Sequence, residues 1–477
     1  MADFATPDLC IIGGGTAGLA AAEAARARGA SVILVERAAL GGEGLYSGGA
    51  AARALSASAA RAHAMRTAAP FGVADAEAKV SFRQVHDHVQ SVVARLSPEA
   101  TAERIAALGV DIIAAEGAFL DSRTLKAGER LVRATTFLIA TGSRTLVPDI
   151  AGLADVPFFT TETIFDNTRK LSHLVIVGEG HAALELAQAY RRLGSDVTVL
   201  SHGAALPDAD PELSDLALRR LREEGVAIIE HAGISVQARS QGIGVVVRTG
   251  EREDRLDASH ILVAGKRLPN LDGLGLEKAR IRRDKADATR LELTPALRTS
   301  NPRVFAIGDA AGGRQFGHAA SEQARLVVDH AVFGLPGAYH PEAIPLVAFT
   351  DPEIAEVGMT EAAAKARLKT RYRILRASFT ESHRARADRC AHGLVKLVIA
   401  SDGRILGAGI VGPGAGELIA LFALAMAGKL SARDLATFVA PYPTYAEIAN
   451  RLGRAYIKDD KPSPWLRRRA AFKRLLP

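Results

Sequence analysis

Two glycine-rich turns constrain the fold of this chain more than any other feature. The apolar run Leu9–Ile12 leads into GGGTAG at 13–18, and the run Leu174–Val177 leads into GEGHAA at 178–183, about 165 residues later. A helical pattern follows each turn. Strand, glycine turn and helix form the start of a Rossmann unit, in which the helix N-terminus faces phosphate charge. The sequence therefore predicts an α/β fold with two Rossmann-like dinucleotide-binding domains.

The first unit carries every part of a dinucleotide-binding signature. Gly13, Gly15 and Gly18 allow a tight turn, close approach of the backbone to a pyrophosphate, and close helix packing. The next apolar run ends at Glu36, 18 positions after Gly18, where a carboxylate accepts hydrogen bonds from a ribose 2′-hydroxyl. We therefore predict that this unit binds a dinucleotide.

Composition narrows the class of protein. The chain has 477 residues, enough for three domains, and a net charge of +7. The last 17 residues hold six basic residues and no acid, so we read the charge as a property of this tail and expect no nucleic-acid partner. The longest apolar run, Leu418–Ala427, is too short to cross a bilayer, and the acidic start does not resemble a signal peptide. Cys10 and Cys390 alone indicate neither a disulfide framework nor a metal site, so we expect a cytoplasmic protein without bound metal.

Further motifs follow in an order that resembles one family. They are ATGSR (140–144), AGKRLPN (264–270), SNPRVFAIGDAAGG (300–313), FTDPE (349–353), ILGAGIVGPGAGE (405–417) and PYPTYAE (441–447). With the two turns, they are similar to the class I pyridine nucleotide-disulfide oxidoreductases, which include dihydrolipoamide dehydrogenase, glutathione reductase and mercuric reductase, and they look mercuric-reductase-like within that family. The resemblance implies FAD, NADPH or NADH, a homodimer, and a C-terminal α+β dimerisation domain.

The motif positions predict how the domains divide the chain. We expect an FAD-binding domain in residues 1–150 and 271–345, with an NAD(P)-binding domain in 151–270 between its two parts. A dimerisation domain is expected in 346–457 and a basic amphipathic tail in 458–477.

The segment GGEGLYSGGAAARAL (41–55) departs from the family at its most characteristic point. The family reads roughly GGTCxNxGCxPSK there, whereas this chain has Gly44 and Gly49 at the two cysteine positions and Arg53 at the lysine position. Because thiol–disulfide exchange needs sulfur atoms, we expect no reduction of disulfides, lipoamide or mercury. Two glycines over the flavin are expected to leave a flat slot for a planar acceptor.

The resemblance assigns residues to FAD. Asp309, at the end of a strand, would hold the ribityl chain, and His318 either contacts the flavin or has a purely structural role. The residues implied for FAD are Gly13, Gly15, Gly18, Glu36, Gly41, Gly42, Arg53, Gly117, Thr141, Gly142, Asp309 and His318.

The second turn is implied to bind the nicotinamide dinucleotide, although a lobe that binds none stays an alternative. Ser201 and His202 replace the acid expected after the second strand. Without a carboxylate to repel a 2′-phosphate, strict NADH preference is not expected, and without an arginine to grip it NADPH is only favoured. Lys266 replaces a glycine that borders this site. The implied residues are Gly178, Gly180, His181, Ala183, Glu185, Ser201, His202 and Lys266.

Four residues are candidates for the chemistry. Arg53 keeps a positive charge where the family lysine lies near the flavin N5, and Glu185 takes the place of its carboxylate partner; the alternative is a surface ion pair. Tyr442 replaces the family histidine and is expected to donate a hydrogen bond rather than act as a base. Glu447, left without that histidine, is either functional or a simple helix cap.

These residues favour an FAD-dependent NAD(P)H oxidoreductase that passes electrons directly from reduced flavin to a non-disulfide acceptor, a quinone. A soluble pyridine nucleotide transhydrogenase is the alternative enzyme, although such enzymes keep the C-terminal histidine. The third hypothesis is a non-catalytic flavoprotein scaffold or redox sensor, since loss of the cysteines and the histidine is also what decay produces.

The basic tail suggests a membrane contact. Trp465, Phe472 and Leu476 share one helical stripe with arginine and lysine residues beside it. A basic segment with aromatic anchors can lie at the surface of an anionic bilayer, which would place the protein peripherally at the inner face of the membrane. A helix packed on its own dimer, or a solvated end, is the alternative.

Overall fold

The computed structural model describes residues 4–313, 315–458 and 464–474. Its contacts divide the chain into two compact units. Unit 1 comprises Met1–Asp208 and Leu221–Ile344, and unit 2 comprises Ala209–Arg220 and Pro345–Pro477. Residues 209–220 are thus grouped with the C-terminal part of the chain, although the sequence places them inside the predicted NAD(P)-binding domain; the predicted domain boundaries stay a prediction.

A five-stranded parallel sheet forms the first half of unit 1. Its strand order is β19 (Val304–Ala306), β8 (Thr136–Ile139), β2 (Leu9–Ile12), β3 (Val32–Glu36) and β4 (Val110–Ala114). Side chains of the central strand β2 alternate between two apolar cores, with Leu9 and Ile11 on one face and Cys10 and Ile12 on the other. Both faces of the sheet are buried, as apolar runs in parallel strands predict.

A second five-stranded parallel sheet repeats this arrangement. Its order is β10 (Phe158–Thr160), β17 (His260–Val263), β11 (His173–Val177), β12 (Asp196–Leu200) and β13 (Val226–Ile229). The two glycine turns leave their sheets in the same way. Gly13 N donates to Val35 O at 2.8 Å, and Gly178 N donates to Leu200 O at 3.0 Å.

Smaller sheets complete unit 1. The first contains β1 (Phe4–Ala5), β7 (Arg130–Val132), β6 (Leu125–Ala127) and β5 (Gly117–Phe119). The second is antiparallel and contains β14 (Gly233–Ala238), β15 (Ile243–Thr249) and β16 (Arg252–Ala258). A two-stranded antiparallel ladder joins β9 (Ser143–Thr145) to β18 (Arg267–Pro269). The segment that leaves the first parallel sheet after β8 therefore lies beside the segment that leaves the second parallel sheet after β17.

Helices cover the parallel sheets of unit 1. They are α1 (Thr16–Arg26), α2 (Gly42–Tyr46), α3 (Gly49–Arg66), α4 (Phe82–Leu96), α5 (Ala102–Ala107), α6 (His181–Arg192) and α8 (Gly317–Val327). The helix α7 (Pro211–Glu223) begins in the segment that belongs to unit 2.

Unit 2 is an α+β domain around one antiparallel sheet. The strand order is β20 (Leu346–Ala348), β21 (Glu353–Gly358), β24 (Ile405–Gly412), β23 (Leu394–Ala400) and β22 (Tyr372–Ser378). Its other helices are α9 (Glu361–Leu368), α10 (His383–Ala387), α11 (Ala415–Ala427), α12 (Ala432–Thr437), α13 (Glu447–Ile457) and α14 (Pro464–Lys473). The predicted fold class, two Rossmann-like domains followed by an α+β domain, is confirmed. Across the described ranges, no helix is long and apolar enough to cross a membrane.

Candidate functional site

The first glycine turn forms a cradle that side chains cannot enter. Gly13 has φ +109°, and a Cβ there would lie 2.4 Å from Ala140 O. A Cβ on Gly18 would lie 1.9 Å from Gly13 O, so α1 packs directly on the turn. Gly15 caps α1, and within the described chain no side chain satisfies the N–H groups there. Uncapped N–H groups at a helix N-terminus attract an anion such as phosphate.

Glu36 lies against this cradle, as its spacing predicts. Its Oε2 accepts a hydrogen bond from Gly14 N at 2.5 Å, and its Oε1 accepts one from Ala38 N at 2.8 Å. The carboxylate is therefore held at the carboxyl end of β3, next to the turn.

The segment that follows packs onto the same turn. Gly41 N donates to Gly14 O at 2.9 Å, and a Cβ on Gly42 would lie 2.9 Å from Gly15 Cα. The N-terminus of α2 consequently lies directly beside the N-terminus of α1.

The two glycines at the family cysteine positions differ in their surroundings. A Cβ on Gly44 would lie 2.6 Å from Thr16 Oγ1, so a hydroxyl already stands where a cysteine side chain would begin. A Cβ on Gly49 would meet only Gly44 O, at an ordinary 3.9 Å. The Thr16 hydroxyl therefore lies beside Gly44, at one side of the position where the slot is expected.

Sequence reasoning missed an arginine at the centre of the site. The Nη2 of Arg267 donates to Glu43 Oε2, and its Nη1 lies 3.1 Å from Glu162 Oε1. Its Nε donates to Ser143 Oγ at 2.8 Å and lies 3.8 Å from Asp309 Oδ2. One guanidinium thus faces three carboxylates. Arg267 belongs to the AGKRLPN motif, but nothing in the motif indicates that Glu43, 224 positions away, is its partner.

The three carboxylates around Arg267 differ in their environments. Burial, together with the charges of Asp309 and Glu162, raises the pKa of Glu43 to about 7 despite the opposing charge of Arg267. Burial also opposes ionisation of Glu162, yet hydrogen bonds from Thr160 and Thr145 and the charge of Arg267 hold the pKa of Glu162 below its ordinary value. Glu43 can therefore change protonation near neutral pH, whereas Glu162 favours its ionised form.

The other residues assigned to FAD lie around the end of the first sheet. Asp309 Oδ2 accepts a hydrogen bond from Ser143 Oγ at 2.5 Å. Thr141 Oγ1 donates to Asn270 O at 2.7 Å, and Asn270 N donates to Gly142 O at 2.9 Å. These hydrogen bonds hold the segment at 141–142 against the segment that contains Asn270. Gly117 packs between strands, since a Cβ there would lie 3.3 Å from Val35 Cγ1.

The second glycine turn has the same form as the first. A Cβ on Gly178 would lie 2.3 Å from Ala264 O, whereas one on Gly180, which caps α6, would meet no described atom within 4 Å. Ala183 is fully buried on α6. Space in front of an uncapped helix N-terminus suits a second phosphate group.

Ser201 and His202, which replace the expected acid, bring no carboxylate to the end of the second strand. Ser201 is fully buried, and its hydroxyl donates to Gly203 O at 2.8 Å. His202 is exposed, with its Nδ1 3.0 Å from Ala232 O. Lys266, expected to border this site, is also exposed.

Three aromatic rings lie between the second glycine turn (178–183) and the segment after the motif at 300–313. The ring of His181, at the start of α6, lies 4.9 Å from that of Phe316, which stacks on His318 with centroids 5.4 Å apart. Phe316 was missed by sequence reasoning, because its neighbours in the chain carry no aromatic pattern. Arg53 and Glu185 lie on α3 and α6, which pack against each other, and Glu185 is buried.

Unit 2 holds the remaining two candidates. Tyr442 is 71% exposed, and its hydroxyl lies 3.1 Å from Nδ1 of His383. Glu447 begins α13, and its Oε2 is buried with no hydrogen-bond partner among the described residues. It lines an open cavity of about 450 Å³ together with Arg451 and Arg454. The pairing of Tyr442 with His383 was not predicted, since the two residues are 59 positions apart.

Comparison with known proteins identifies the family to which this chain belongs. Residues 7–324 match the model of the family described as pyridine nucleotide-disulphide oxidoreductase, and residues 344–452 match its dimerisation domain. The mercuric reductase of Streptomyces lividans is 32% identical over 461 residues, covering 95% of this chain and 96% of that protein. The dihydrolipoyl dehydrogenase of Geobacillus stearothermophilus is 31% identical over 465 residues, covering 94% of this chain and 96% of that protein.

Solved structures have the same fold. LpdA from Mycobacterium tuberculosis superposes with a TM-score of 0.85 at 26% identity, covering 95% of this chain and 99% of that one. The HOCl-induced flavoprotein disulfide reductase RclA from Escherichia coli, in a Cu(II) complex, gives 0.81 at 23% identity, covering 95% of this chain and 100% of that one. The chain therefore belongs to the pyridine nucleotide-disulphide oxidoreductase family, as an FAD-dependent oxidoreductase of a group that uses NAD(P)H and dimerises through its C-terminal domain.

Proposed function

We propose that this protein oxidises NAD(P)H and passes the electrons from its flavin directly to a small planar acceptor, a quinone. One observation carries the proposal: both dinucleotide turns are intact, while Gly44 and Gly49 stand where the family has its redox-active thiols. Reduction of a quinone to a hydroquinone takes two electrons and two protons, of which NAD(P)H supplies a hydride and solvent the second proton.

The residues present fit both cofactors. The cradle of Gly13 and Gly18 and the uncapped N-terminus of α1 would hold the diphosphate of FAD, with Glu36 at the adenosine ribose. The cradle at Gly178 and Gly180 would hold the nicotinamide dinucleotide. Bound FAD supplies the chemistry of accepting a hydride and releasing electrons to a second substrate.

The side chains of this protein would orient and stabilise those groups. Arg53 on α3 would place a positive charge beside the reduced flavin, with the buried carboxyl of Glu185 on the neighbouring helix as its counter-charge. His181 and His318, joined through the Phe316 ring, would line the site from the two dinucleotide motifs. Tyr442 keeps a phenolic hydroxyl that can donate a hydrogen bond.

Neither cysteine is suited to replace the missing pair. Cys10 is fully buried in β2, and burial raises the pKa of its thiol far above the ordinary value. Burial also raises the pKa of Cys390, whose Sγ lies 3.3 Å from Tyr445 Oη in unit 2. Both thiols, fully buried at Cys10 and partly buried at Cys390, therefore favour the protonated form, which is a poor nucleophile.

Turnover of NADH and NADPH with menadione or benzoquinone tests the proposal on FAD-loaded protein. We expect rates well above those of free FAD at the same concentration, and activity with both nicotinamides because no side chain at Ser201 or His202 excludes a 2′-phosphate. Rates equal to free FAD would refute quinone reduction. An anaerobic titration separates the hypotheses further, because a non-catalytic scaffold would leave the flavin yellow in excess NADPH.

We predict that thiol chemistry does not affect the activity. The double variant Cys10→Ala, Cys390→Ser, and wild-type protein treated with N-ethylmaleimide, should reduce their flavin within about threefold of the untreated rate, because neither thiol takes part. Stopped-flow absorbance of the flavin measures this rate. A large loss in Cys390→Ser alone, in folded protein, would show that a distant thiol has been recruited.

We predict that Asp309→Ala weakens FAD retention. The carboxylate is fixed by Ser143 at the end of the first sheet, and loss of one hydrogen bond from a charged group costs roughly 1.5–3 kcal/mol. The dissociation constant of FAD should therefore rise roughly tenfold or more. Flavin fluorescence during titration of apoprotein measures it, with the exposed Asp196→Ala as a control that should bind FAD normally.

We also propose that the C-terminal tail contacts anionic membrane. Trp465 and Phe472 are 62% and 63% exposed on α14, seven positions apart on one side of the helix, and arginines 467–469 lie between them. Leu476 lies outside the described residues. Each basic residue near an anionic bilayer contributes on the order of 1 kcal/mol. Full-length protein should sediment with phosphatidylserine vesicles at low salt, whereas a chain truncated after Lys458 should not; equal sedimentation would refute the contact.

A further inference from the structure

Glu43 lies beside the cradle for the flavin diphosphate, although no motif assigns it there. It is the second residue of α2, directly after Gly42, which packs on Gly15 at the start of α1. Its neighbour Gly44 in turn faces the Thr16 hydroxyl of α1. The backbone of Glu43 is therefore bracketed by two contacts with the turn that would receive phosphate.

The carboxylate of Glu43 is part of a cluster with more negative than positive charge. Its partner Arg267 is 15% exposed and also faces Glu162 and Asp309. Glu162 is tied further by Thr145, whose N and Oγ1 donate to it at 2.9 and 2.7 Å. One guanidinium cannot neutralise three ionised carboxylates.

A diphosphate bound at the N-terminus of α1 would add two negative charges to this surface. The diphosphate of FAD stays ionised throughout the neutral pH range, so it cannot relieve the repulsion by taking up a proton itself. Like charges that share a site raise the pKa of whichever group can protonate. Glu43 meets that description, because its side chain is 30% exposed and Arg267 is the one hydrogen-bond partner of its carboxylate among the described residues. Glu162 and Asp309, in contrast, each accept a hydrogen bond from a hydroxyl group.

We propose that Glu43 is a cofactor-site residue that binds FAD in its neutral form, so that FAD binding is coupled to the uptake of one proton. The inference goes beyond the proposed function, since it concerns cofactor loading and holds for any electron acceptor. It also accounts for the carboxyl at a position where the family motif has threonine, a side chain that carries no charge.

The direction of the pH dependence follows from linkage. The pKa of Glu43 in the free protein, about 7, is expected to be higher when FAD is bound. Below pH 7 Glu43 is protonated in both states, and FAD binding does not depend on pH. As pH rises above 7 the free protein loses this proton first, so FAD affinity falls by up to tenfold per pH unit until the bound form also ionises.

Other ionisable groups lie near enough to require a control. The charges that act directly on Glu43 are Arg267 on β18, Asp309 after β19 and Glu162 after β10. The helices packed against α2 are α1, α3 and α4. Those helices carry, among other charged groups, Arg53 on α3 and His86 and His88 on α4, and two further histidines, His181 and His318, lie at the cofactor turns.

Calorimetric titration of whole apoprotein with FAD tests the proposal without reductant or acceptor. Measured at pH 8 in two buffers of different ionisation enthalpy, wild-type protein should take up close to one proton per FAD. Its dissociation constant should be about twentyfold higher at pH 8.5 than at pH 6.5. Proton uptake near zero, or equal affinity at both pH values, would overturn the proposal on wild-type protein alone.

Two variants assign the proton. Glu43→Gln imitates the neutral acid, so it should match wild type within about threefold at pH 6.5, bind FAD about twentyfold more tightly than wild type at pH 8.5, and take up no proton. The matched control Glu162→Gln removes a carboxylate beside the same arginine and should retain proton uptake, displaced to lower pH. Proton uptake that persists in Glu43→Gln would also overturn the assignment, and would leave the quinone test unaffected.

Discussion

Replacing Lys396 by alanine should lower the free energy of unfolding of unit 2 by about 3–5 kcal/mol, because it leaves the buried carboxylate of Asp210 without its counter-charge. Lys396 on β23 is 6% exposed, and its Nζ lies 2.8 Å from Asp210 Oδ2, 2.9 Å from Glu212 Oε2 and 2.7 Å from Glu361 Oε2. Asp210 is equally buried, and desolvation of an unpaired charge is costly.

A second cation, Arg376, also pairs with Glu212 and makes the stability of this cluster sensitive to acid. Hydrogen bonds from Arg376, joined by those from Lys396, lower the pKa of Glu212 to about 2, from 4.5. A carboxyl whose pKa is depressed in the folded state contributes stability above its unfolded pKa. The stability supplied by Glu212 is therefore present above about pH 4.5 and is lost as pH falls towards 2.

Thermal unfolding followed by circular dichroism measures the change. Lys396→Ala should lower the midpoint of the transition by at least about 6 °C, whereas the exposed Lys365→Ala on α9 should leave it within about 1 °C because a solvated side chain is lost. Equal midpoints for the two variants would contradict the role of the cluster. Lys396→Met, which keeps roughly the volume of the side chain, should destabilise unit 2 as well, because the variant loses the charge but keeps the packing.

The parts of the site that the sequence predicts depend on contacts within a turn or between adjacent strands, which leave a visible spacing in the sequence. Gly13 and Gly18 are required because a Cβ at either would collide with backbone a few residues or one strand away, and this requirement is visible as spacing. Glu36 lies at the end of the next strand, so its approach to Gly14 also follows from a short stretch of chain. The fold class and the family were predicted on the same grounds.

The parts that were missed depend on contacts between distant segments. Arg267 and Glu43 are 224 positions apart, and Lys396 and Asp210 are 186 apart. No periodicity or motif relates such pairs, because their proximity is set by how crossovers and helices pack. The contact between the Thr16 hydroxyl and Gly44 could not be predicted either, because it depends on how α2 packs on α1.

Replacing Gly18 by alanine should abolish FAD retention, the largest effect we expect from a single methyl group. The added Cβ would lie 1.9 Å from Gly13 O and 3.4 Å from Ile11 Cγ2. The carbonyl is backbone and cannot rotate away, so α1 must shift from the turn and carry its N–H groups out of line with the phosphates. Overpacking of this kind typically costs 1–3 kcal/mol even where side chains can adjust.

The ratio of flavin to protein absorbance after purification measures retention. We expect Gly18→Ala to hold less than roughly a tenth of the wild-type flavin, since α1 supplies the anion-binding end of the site. Gly203→Ala is the matched control, because a Cβ there meets no described atom within 4 Å and the residue has no left-handed φ; it should keep its full flavin content. Full flavin in Gly18→Ala would mean that the cradle tolerates a side chain and that close packing of α1 on the turn is not what holds the cofactor.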